Sequence, residues 1–288
     1  MRMAYLIMAH HDRPALERLL QRLLTPGSPD FAVVHADAAS PLWRDLQARP
    51  LGGPGRIITI ADPVAVRWGH WSQVEADRLL IEAALAEGCD YAHVLSGVDW
   101  PAVGRDTIVA DIAAAGAQAC FIEAVPGVQE DRMQNWHPGS RWLRLDPQRD
   151  RLAYAAGWEL RRIGRLADRI GTFFGMQRSR PYGRWRKGSS WWSLPLPALQ
   201  TAARELAVLR SSGRLRWTAC ADEHAVQSII AASYAGHLHD NKRFIHFDDG
   251  ASSPRTLAAD DAPAIRASGA WFFRKVDAAT DPFFLDTF

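Results

Sequence analysis

The stretch "AYLIMAHHDRPALERLLQRL", residues 4–23, changes its periodicity half-way along. Residues 5–9 form a short apolar run of strand type, whereas Leu16, Leu19, Leu20, Leu23 and Leu24 recur at helical spacing. The alternation continues down the chain. Residues 31–35 are a second apolar run ending near Asp37, and residues 56–60 are a third. A helical pattern over 74–85 leads to a fourth strand at 91–96, and a helix over about 106–115 leads to a strand at 118–123. Strands alternating with helices predict a mostly parallel sheet covered on both faces. Ligands of such sheets bind beyond the C-terminal strand ends. His10, Asp37, residues 96–99 and Glu123 are thereby expected on one rim.

With 288 residues the chain is long for one core but compatible with one large α/β domain. Hydrophobic residues at 48% and charged residues at 23% are the balance of an ordinary soluble globular protein. A net charge of +2 is too small to argue for a nucleic-acid partner. The 12 tryptophans are many for this length, and their flat apolar faces suit sugar rings as well as cores. Cys89, Cys120 and Cys220 are widely spaced and odd in number. That fits neither a disulfide framework nor a zinc site, and points to a reducing compartment. The N-terminal run lacks the layout of a signal peptide, and no run approaches the ~20 apolar residues that cross a bilayer. The expected location is the cytoplasm.

The middle of the chain changes character. Residues 141–187 hold 13 Lys/Arg against 4 Asp/Glu. Within them Ile163, Leu166, Ala167, Ile170, Phe173 and Phe174 share one helical face, with Arg161, Arg162, Arg165 and Arg169 largely elsewhere. A basic amphipathic helix either makes peripheral contact with an anionic membrane, here its inner face, or packs on its domain with the basic side in water. The packed arrangement is the expectation. "KGSSWWSL" (187–194) follows as a strand, on which at most one of Trp191 and Trp192 reaches a site, and Pro195 and Pro197 open the next helix. "DEHAVQSIIAASY" (222–234) is a further helix, and residues 243–247 and 270–276 are late strands around a short helix at about 260–267. No repeat, linker or boundary divides the chain, so residues 1–288 are expected to form a single domain with the basic segment inside it.

Several motifs are missing. Neither G-x-G-x-x-G opening a helix nor G-x-x-x-x-G-K-[ST] occurs, which removes both common phosphate loops. There is no H-E-x-x-H, and adjacent His10 and His11 alternate faces on a strand instead of converging on a metal. No D-x-D triplet is present, the usual holder of a divalent cation on a sugar diphosphate. Without it, the charge of any bound diphosphate falls to Arg and Lys. Ser96 lacks the flanking glycines of a nucleophile elbow.

Taken in order, several blocks resemble the core-2/I-branching β-1,6-N-acetylglucosaminyltransferases and their relatives, the peptide-O-xylosyltransferases. They are the opening stretch, "FAVVHADAAS" (31–40), "VRWGHWSQVEADRLLIEAAL" (66–85), "YAHVLSGVDWP" (91–101), "KGSSWWSL", "CADEHAVQSII" (220–230) and the tail "SPRTLAADDAPAIRASGAWFFRKVDAATDPF" (253–283). The resemblance implies a GT-A-type, Rossmann-like α/β fold and inverting transfer from a UDP-sugar, N-acetylglucosamine or xylose, to a glycan acceptor, without a metal cofactor. Departures are Ala36 within the usual His-Val-Asp, Ala221 where Pro commonly precedes Asp-Glu, and neither the membrane anchor nor the disulfides of the animal relatives. They imply a bacterial-type cytoplasmic enzyme of polysaccharide synthesis, whose acceptor is a free or a lipid-linked glycan.

By the same resemblance Glu223 is the general base, and Arg255 and Lys275 face the departing diphosphate. Ala9, His10, Asp37 and Trp68 bind the donor, while Asp99 and Glu123 face the acceptor; Arg132 has a looser match to either substrate. Each has a plainer reading. Glu223 also suits the first turn of a helix, Asp222 is the better N-cap, Asp37 and Asp99 suit turns, Trp68 suits a core, and Arg255 and Lys275 suit a surface. Other functions stay open: a non-catalytic sugar- or membrane-binding module on the same fold, and a nucleotide-sugar hydrolase or a transferase acting on a peptide hydroxyl.

Overall fold

The computed structural model describes residues 1–140, 150–174, 178–251, 253–277 and 282–288. Its strands are β1 (Met3–Ala9), β2 (Phe31–Ala36), β3 (Arg56–Thr59), β4 (Tyr91–Ser96), β5 (Asp99–Pro101), β6 (Cys120–Phe121), β7 (Val125–Pro126), β8 (Arg186–Lys187), β9 (Ser193–Pro195), β10 (Leu238–His239), β11 (Arg243–Ile245) and β12 (Phe272–Arg274). The helices are α1 (Arg13–Leu23), α2 (Pro41–Ala48), α3 (Ser72–Glu87), α4 (Arg105–Ala115), α5 (Asp131–Gln134), α6 (Arg151–Phe173), α7 (Leu196–Ser211), α8 (Ala225–Ser233), α9 (Ala262–Ala267) and α10 (Pro282–Leu285). A seven-stranded sheet runs in the order β10-β6-β9-β4-β1-β2-β3. Neighbours β4, β1, β2 and β3 are parallel, whereas β9 is antiparallel to both β4 and β6. The mixed α/β architecture with a mostly parallel central sheet is therefore present.

Side-chain alternation along the strands separates two apolar layers. Tyr5, Ile7, Ala32, Val34, Tyr91 and Leu95 point into one layer, with α1, α4 and the aromatic strand β12. Leu6, Val33, Ala92 and Val94 point into the other, with α3, α7 and α8. A sheet buried on both faces needs apolar residues at every strand position, and β2 and β4 are buried throughout. The three cysteines are buried and free. Among the described residues no helix is long and apolar enough to cross a membrane.

Three elements depart from the sequence reading. The strand expected over 118–123 pairs only at β6. The stretch 187–194 is not one strand: its start pairs with β7 in a small ribbon, its end joins the main sheet as β9, and the link between them is irregular. The helix expected over 222–234 begins as a single 3-10 turn, Ala221–Glu223, and restarts as α8.

Helix α6 brings a larger correction. It does not pack through its apolar stripe. Gly157, Gly164 and Gly171 are the buried positions, and they recur every seven residues along one face. A Cβ on Gly164 would stand 2.3 Å from the carbonyl oxygen of Trp136, and one on Gly139 would stand 2.7 Å from that of Gly157. The Trp136 N–H donates to Asp168 on the same side of the helix at 2.8 Å. The backbone of 136–139 thus lies directly on a glycine stripe, and Leu152 and Phe173 are left 89% and 83% exposed. Residues 141–149 and 175–177 of the basic segment lie outside the described residues.

This contact makes a prediction. Ala in place of Gly ordinarily favours a helix by roughly 1 kcal/mol, but in Gly164→Ala the new methyl meets backbone that cannot yield. Overpacking of about 1–3 kcal/mol should prevail. Limited proteolysis within α6 is expected to accelerate while the sheet's melting temperature stays nearly constant; unchanged or slower cleavage would contradict the packing.

Candidate active site

The rim beyond the C-terminal ends of β1, β2 and β4 is tied together by backbone bonds that continue past the strands. The Asp37 N–H donates to the Ala9 carbonyl at 2.9 Å, and the Gly97 N–H donates to that of Met8 at 3.0 Å. His10 follows Ala9 on the exposed side, its ring centroid 4.2 Å from that of His11, and burial with the neighbouring histidine lowers its pKa. Asp37 organises the next segment. Its Oδ1 accepts from the Ala39 N–H at 2.9 Å and the Val66 N–H at 3.1 Å. His35 adds a third tie, its Nε2 accepting from the Val64 N–H at 3.0 Å. Asp37 is thereby both a turn residue and the anchor of the loop 64–70.

That loop carries Trp68, which is 42% exposed and so is not a core residue. At its far end the Gly69 carbonyl accepts the Cys220 N–H at 2.8 Å. One loop therefore spans from the Asp37 strand end to the turn that bears Glu223.

Glu223 closes the 3-10 turn, and two separate segments converge on it. Arg132 on α5 places Nη1 2.7 Å from Glu223 Oε2, and Lys187 on β8 places Nζ 3.4 Å from the same oxygen. The Ala219 N–H returns to the Arg132 carbonyl at 2.9 Å, and the Gly188 N–H donates to the Glu223 carbonyl at 2.9 Å. The carboxylate stays 31% exposed. Both of these contacts fall on Oε2. Glu123 joins the same rim, its Oε2 accepting from the Ser189 N–H at 3.0 Å. The close approach requires glycine at 188, where a Cβ would stand 1.9 Å from the Glu123 carbonyl oxygen.

Asp222 does not cap a helix. The N-cap positions are Cys220 and His224, neither with a side-chain cap bond. Asp222 points inward, where Oδ2 accepts from Ser190 Oγ at 2.7 Å and Oδ1 has no partner among the described residues. Burial, with the charge of Glu223 beside it, raises Asp222 to about 6. Asp77 of α3 lies behind it with both oxygens unpartnered among the described residues, raised well above the usual range by burial and by Asp222.

The tail residues form a second group. Arg255 and Lys275 lie on adjacent backbones, joined by the Lys275 N–H to the Arg255 carbonyl at 3.5 Å, and the Lys275 carbonyl accepts from Leu257 at 2.8 Å. Arg255 forms a bidentate pair with Asp261, one contact at 3.0 Å, and approaches Asp248 at 3.5 Å. Lys275 Nζ donates to Ser253 Oγ at 2.7 Å. Lys275 also lines a cavity of about 400 Å³ with Asp12, Gly97, Val98 and Thr256. Arg255, Asp37, Trp68 and Glu223 do not line that cavity. The tail meets the Glu223 rim through Arg274, whose guanidinium lies 4.0 Å from the ring centroid of Trp191. Trp192 is wholly buried, so only Trp191 of the pair faces this junction.

Asp99 is held from several sides. It is 2% exposed, Oδ2 accepts the Ser96 N–H at 2.8 Å, and Oδ1 accepts the Ser96 hydroxyl at 2.8 Å and lies 2.9 Å from Arg274 Nε. Both oxygens have partners inside the protein, so Asp99 braces the turn after β4, and it also borders the cavity lined by Lys275.

Residues 3–275 match the family described as Core-2/I-Branching enzyme. The chain belongs to that family. A core-2/I-branching enzyme is a glycosyltransferase, and the family implies a nucleotide sugar and an acceptor as substrates. Among solved structures it is similar to mouse xyloside xylosyltransferase 1 in its apo form, at 11% identity and a TM-score of 0.40, covering 95% of this chain and 97% of that one. A mannose-1-phosphate geranyltransferase from Thermus thermophilus matches at 16% identity and a TM-score of 0.28, covering 76% and 55%. No curated protein sequence matches this branching-enzyme family member.

The raised carboxyls have a pH consequence. The folded chain keeps protons on Asp222 that the unfolded chain releases between its ordinary 3.8 and about 6. Stability contributed here is therefore lost as pH rises through that window. Asp222→Asn should flatten the fall in melting temperature between about pH 4 and pH 6. Melts at half-unit pH steps check this, and an undiminished slope would locate the buried proton elsewhere.

Proposed function

We propose that the protein is an inverting glycosyltransferase that moves N-acetylglucosamine or xylose from a UDP-sugar to a hydroxyl of a glycan acceptor, with Glu223 as general base. The observation that carries this reading is the Glu223 carboxylate. It sits on the rim beyond the parallel strands, with Oε2 fixed by Arg132 and Lys187 and the same turn bonded to the loop from Asp37. A first-turn acid serving only the helix dipole needs none of these contacts.

In the transfer, the acceptor hydroxyl gives its proton to the Glu223 carboxylate as its oxygen bonds to the anomeric carbon. The bond from that carbon to the diphosphate breaks on the opposite face, and UDP carries away the electron pair. Ala9, His10, Asp37 and Trp68 hold the nucleotide, and Glu123 meets the acceptor. Arg132 and Lys187 orient the base. Arg255 and Lys275 meet the charge on the leaving diphosphate, each charge-assisted bond contributing about 1.5–3 kcal/mol. They replace a divalent cation. Support comes from the absent D-x-D triplet and from the donor set, since among the described residues no three His, Cys, Asp or Glu side chains gather to hold a metal ion. The setting that fits the chain is bacterial polysaccharide synthesis in the cytoplasm.

Glu223→Gln cannot take the proton, and transfer should fall by about 10²–10⁴-fold. UDP binding should be nearly unchanged, because the base faces the acceptor and not the diphosphate. Initial rates and calorimetric titration with UDP test both halves, and near wild-type transfer would refute the role.

The leaving-group assignment has its own test. Turnover should survive EDTA, whereas Arg255→Ala or Lys275→Ala should weaken UDP binding and slow transfer by roughly 10²-fold. Restoration strictly by manganese after chelation, or unchanged kinetics in both variants, would overturn it.

A further inference from the structure

Helix α6 carries an apolar face that the rest of the described protein leaves uncovered. Leu152, Ile163, Leu166, Ile170 and Phe173 lie along it, each between 47% and 89% exposed. Isolated exposed apolar residues are ordinary, but a continuous row on one helix marks an interaction surface. The helix is held to the protein from another side, by the glycine stripe that receives residues 136–139. Among the described residues nothing covers the row, which leaves it open to an occupant from outside.

The charges on the helix identify that occupant. Arg151, Arg162, Arg165 and Arg169 flank the row on one side and are exposed, while Arg161 is half-buried. Two acids oppose them. Glu159 is paired with Arg162 at 3.2 Å, and Asp168 is turned to the Trp136 N–H. Trp158 and Tyr154 sit among the arginines, with Arg162 over the Trp158 ring at 5.3 Å and Arg161 over the Tyr154 ring at 5.9 Å. An apolar row edged by arginines and by amphipathic rings complements a surface that is negative outside and hydrocarbon inside. A protein partner would need its own apolar groove with an acidic margin, whereas an anionic bilayer offers negative charge and hydrocarbon together.

We propose that α6 is an interfacial helix that seats the protein on an anionic lipid surface, apolar row inward and arginines at the headgroups. The glycine stripe lets this helix lie close against residues 136–139, so docking is transmitted to the protein through backbone and not through a flexible tether. Those residues follow α5 directly, and α5 holds Arg132 against Glu223. The lipid surface is thus two short contacts from the catalytic rim, a placement suited to an acceptor anchored in the membrane.

Vesicle co-sedimentation of the full chain tests this independently of any transfer assay. The protein should pellet with phosphatidylcholine vesicles containing phosphatidylglycerol, and bind at least about tenfold more weakly to phosphatidylcholine alone or when salt shortens the Debye length from ~10 Å to ~3 Å. Leu166→Gln with Phe173→Gln should abolish pelleting with an unchanged melting temperature, since both side chains are already in water. Arg162→Gln, Arg165→Gln and Arg169→Gln together should weaken binding by roughly tenfold or more and reduce its salt dependence. No binding to anionic vesicles, or binding that survives the Leu166 and Phe173 changes, overturns the proposal. Sedimentation velocity provides the other decisive arm: concentration-dependent dimers lost in the same double variant, without vesicle binding, would assign the row to a second copy of the chain instead.

Discussion

The backbone carbonyl of Glu123 stands where any side chain on residue 188 would have to go. The rim of the candidate site depends on that exclusion. Because residue 188 is glycine, its N–H reaches the Glu223 carbonyl, its neighbour Lys187 reaches the Glu223 carboxylate, and Ser189 reaches Glu123. A displaced loop would lose these contacts together and leave Glu223 with Arg132 alone. The rim is thus set by a steric limit on backbone approach, with electrostatics acting within it. Such limits are stiffer than ion pairs, which weaken with exposure, and they suit a site where a carboxylate must be held to a fraction of an ångström.

Much of the fold was legible in the sequence because its signals are local. The strand of residues 5–9 and the leucines behind it state their periods within a few turns of chain, and β2, β3, β4, α3 and α7 do likewise. The direction of β9 was not legible. A strand of three residues carries no mark of whether it runs up or down, and its pairing with β4 and β6 is settled by distant chain. The break of the helix after Glu223 was hidden for a similar reason. The segment has helix-compatible residues throughout, but Cys220 adopts left-handed backbone to meet the Gly69 loop, and one 3-10 turn intervenes. Among site residues, Asp37 and Trp68 lie at strand ends or loops that the pattern exposed. The contact of Arg132 with Glu223 spans 91 residues of sequence and left no local trace. The surroundings of Asp99 were hidden as well, because an acid at a strand end suits solvent as well as an inward turn, and its partners Ser96 and Arg274 show only in the fold.

Helix α6 separates two questions that amphipathicity merges. Its period was evident, and its apolar face was evident. The packed face was a different one. Glycines contribute almost nothing to a hydrophobic pattern, yet they permit the closest backbone contact available to a helix. A reading based on apolar residues therefore finds the face that would gain most from burial, whereas the fold used the face that could approach most closely. The same distinction applies to the tail, where Arg255 is drawn into a bidentate pair with Asp261 while Lys275, on the adjoining backbone, turns to a serine hydroxyl and a cavity.

The reversed strand β9 has a consequence for the architecture as a whole. In a sheet of parallel strands, a single strand running the other way begins at the edge where the rest end. β6, parallel to its neighbours beyond β9, ends at that edge too. The long excursion between β6 and β9 therefore departs from and returns to the same edge, and its described residues add no strand to the main sheet. It is a cassette. Chains of this build can vary the outer part of the piece between residues 124 and 192, provided that Met133, Trp185 and Trp192, which belong to the layer with α3, and Arg132, Lys187 and Gly188 at the rim are kept. Diversity of what the protein approaches can then arise in one contiguous insertion, while the parallel strands β1 to β4 stay as they are.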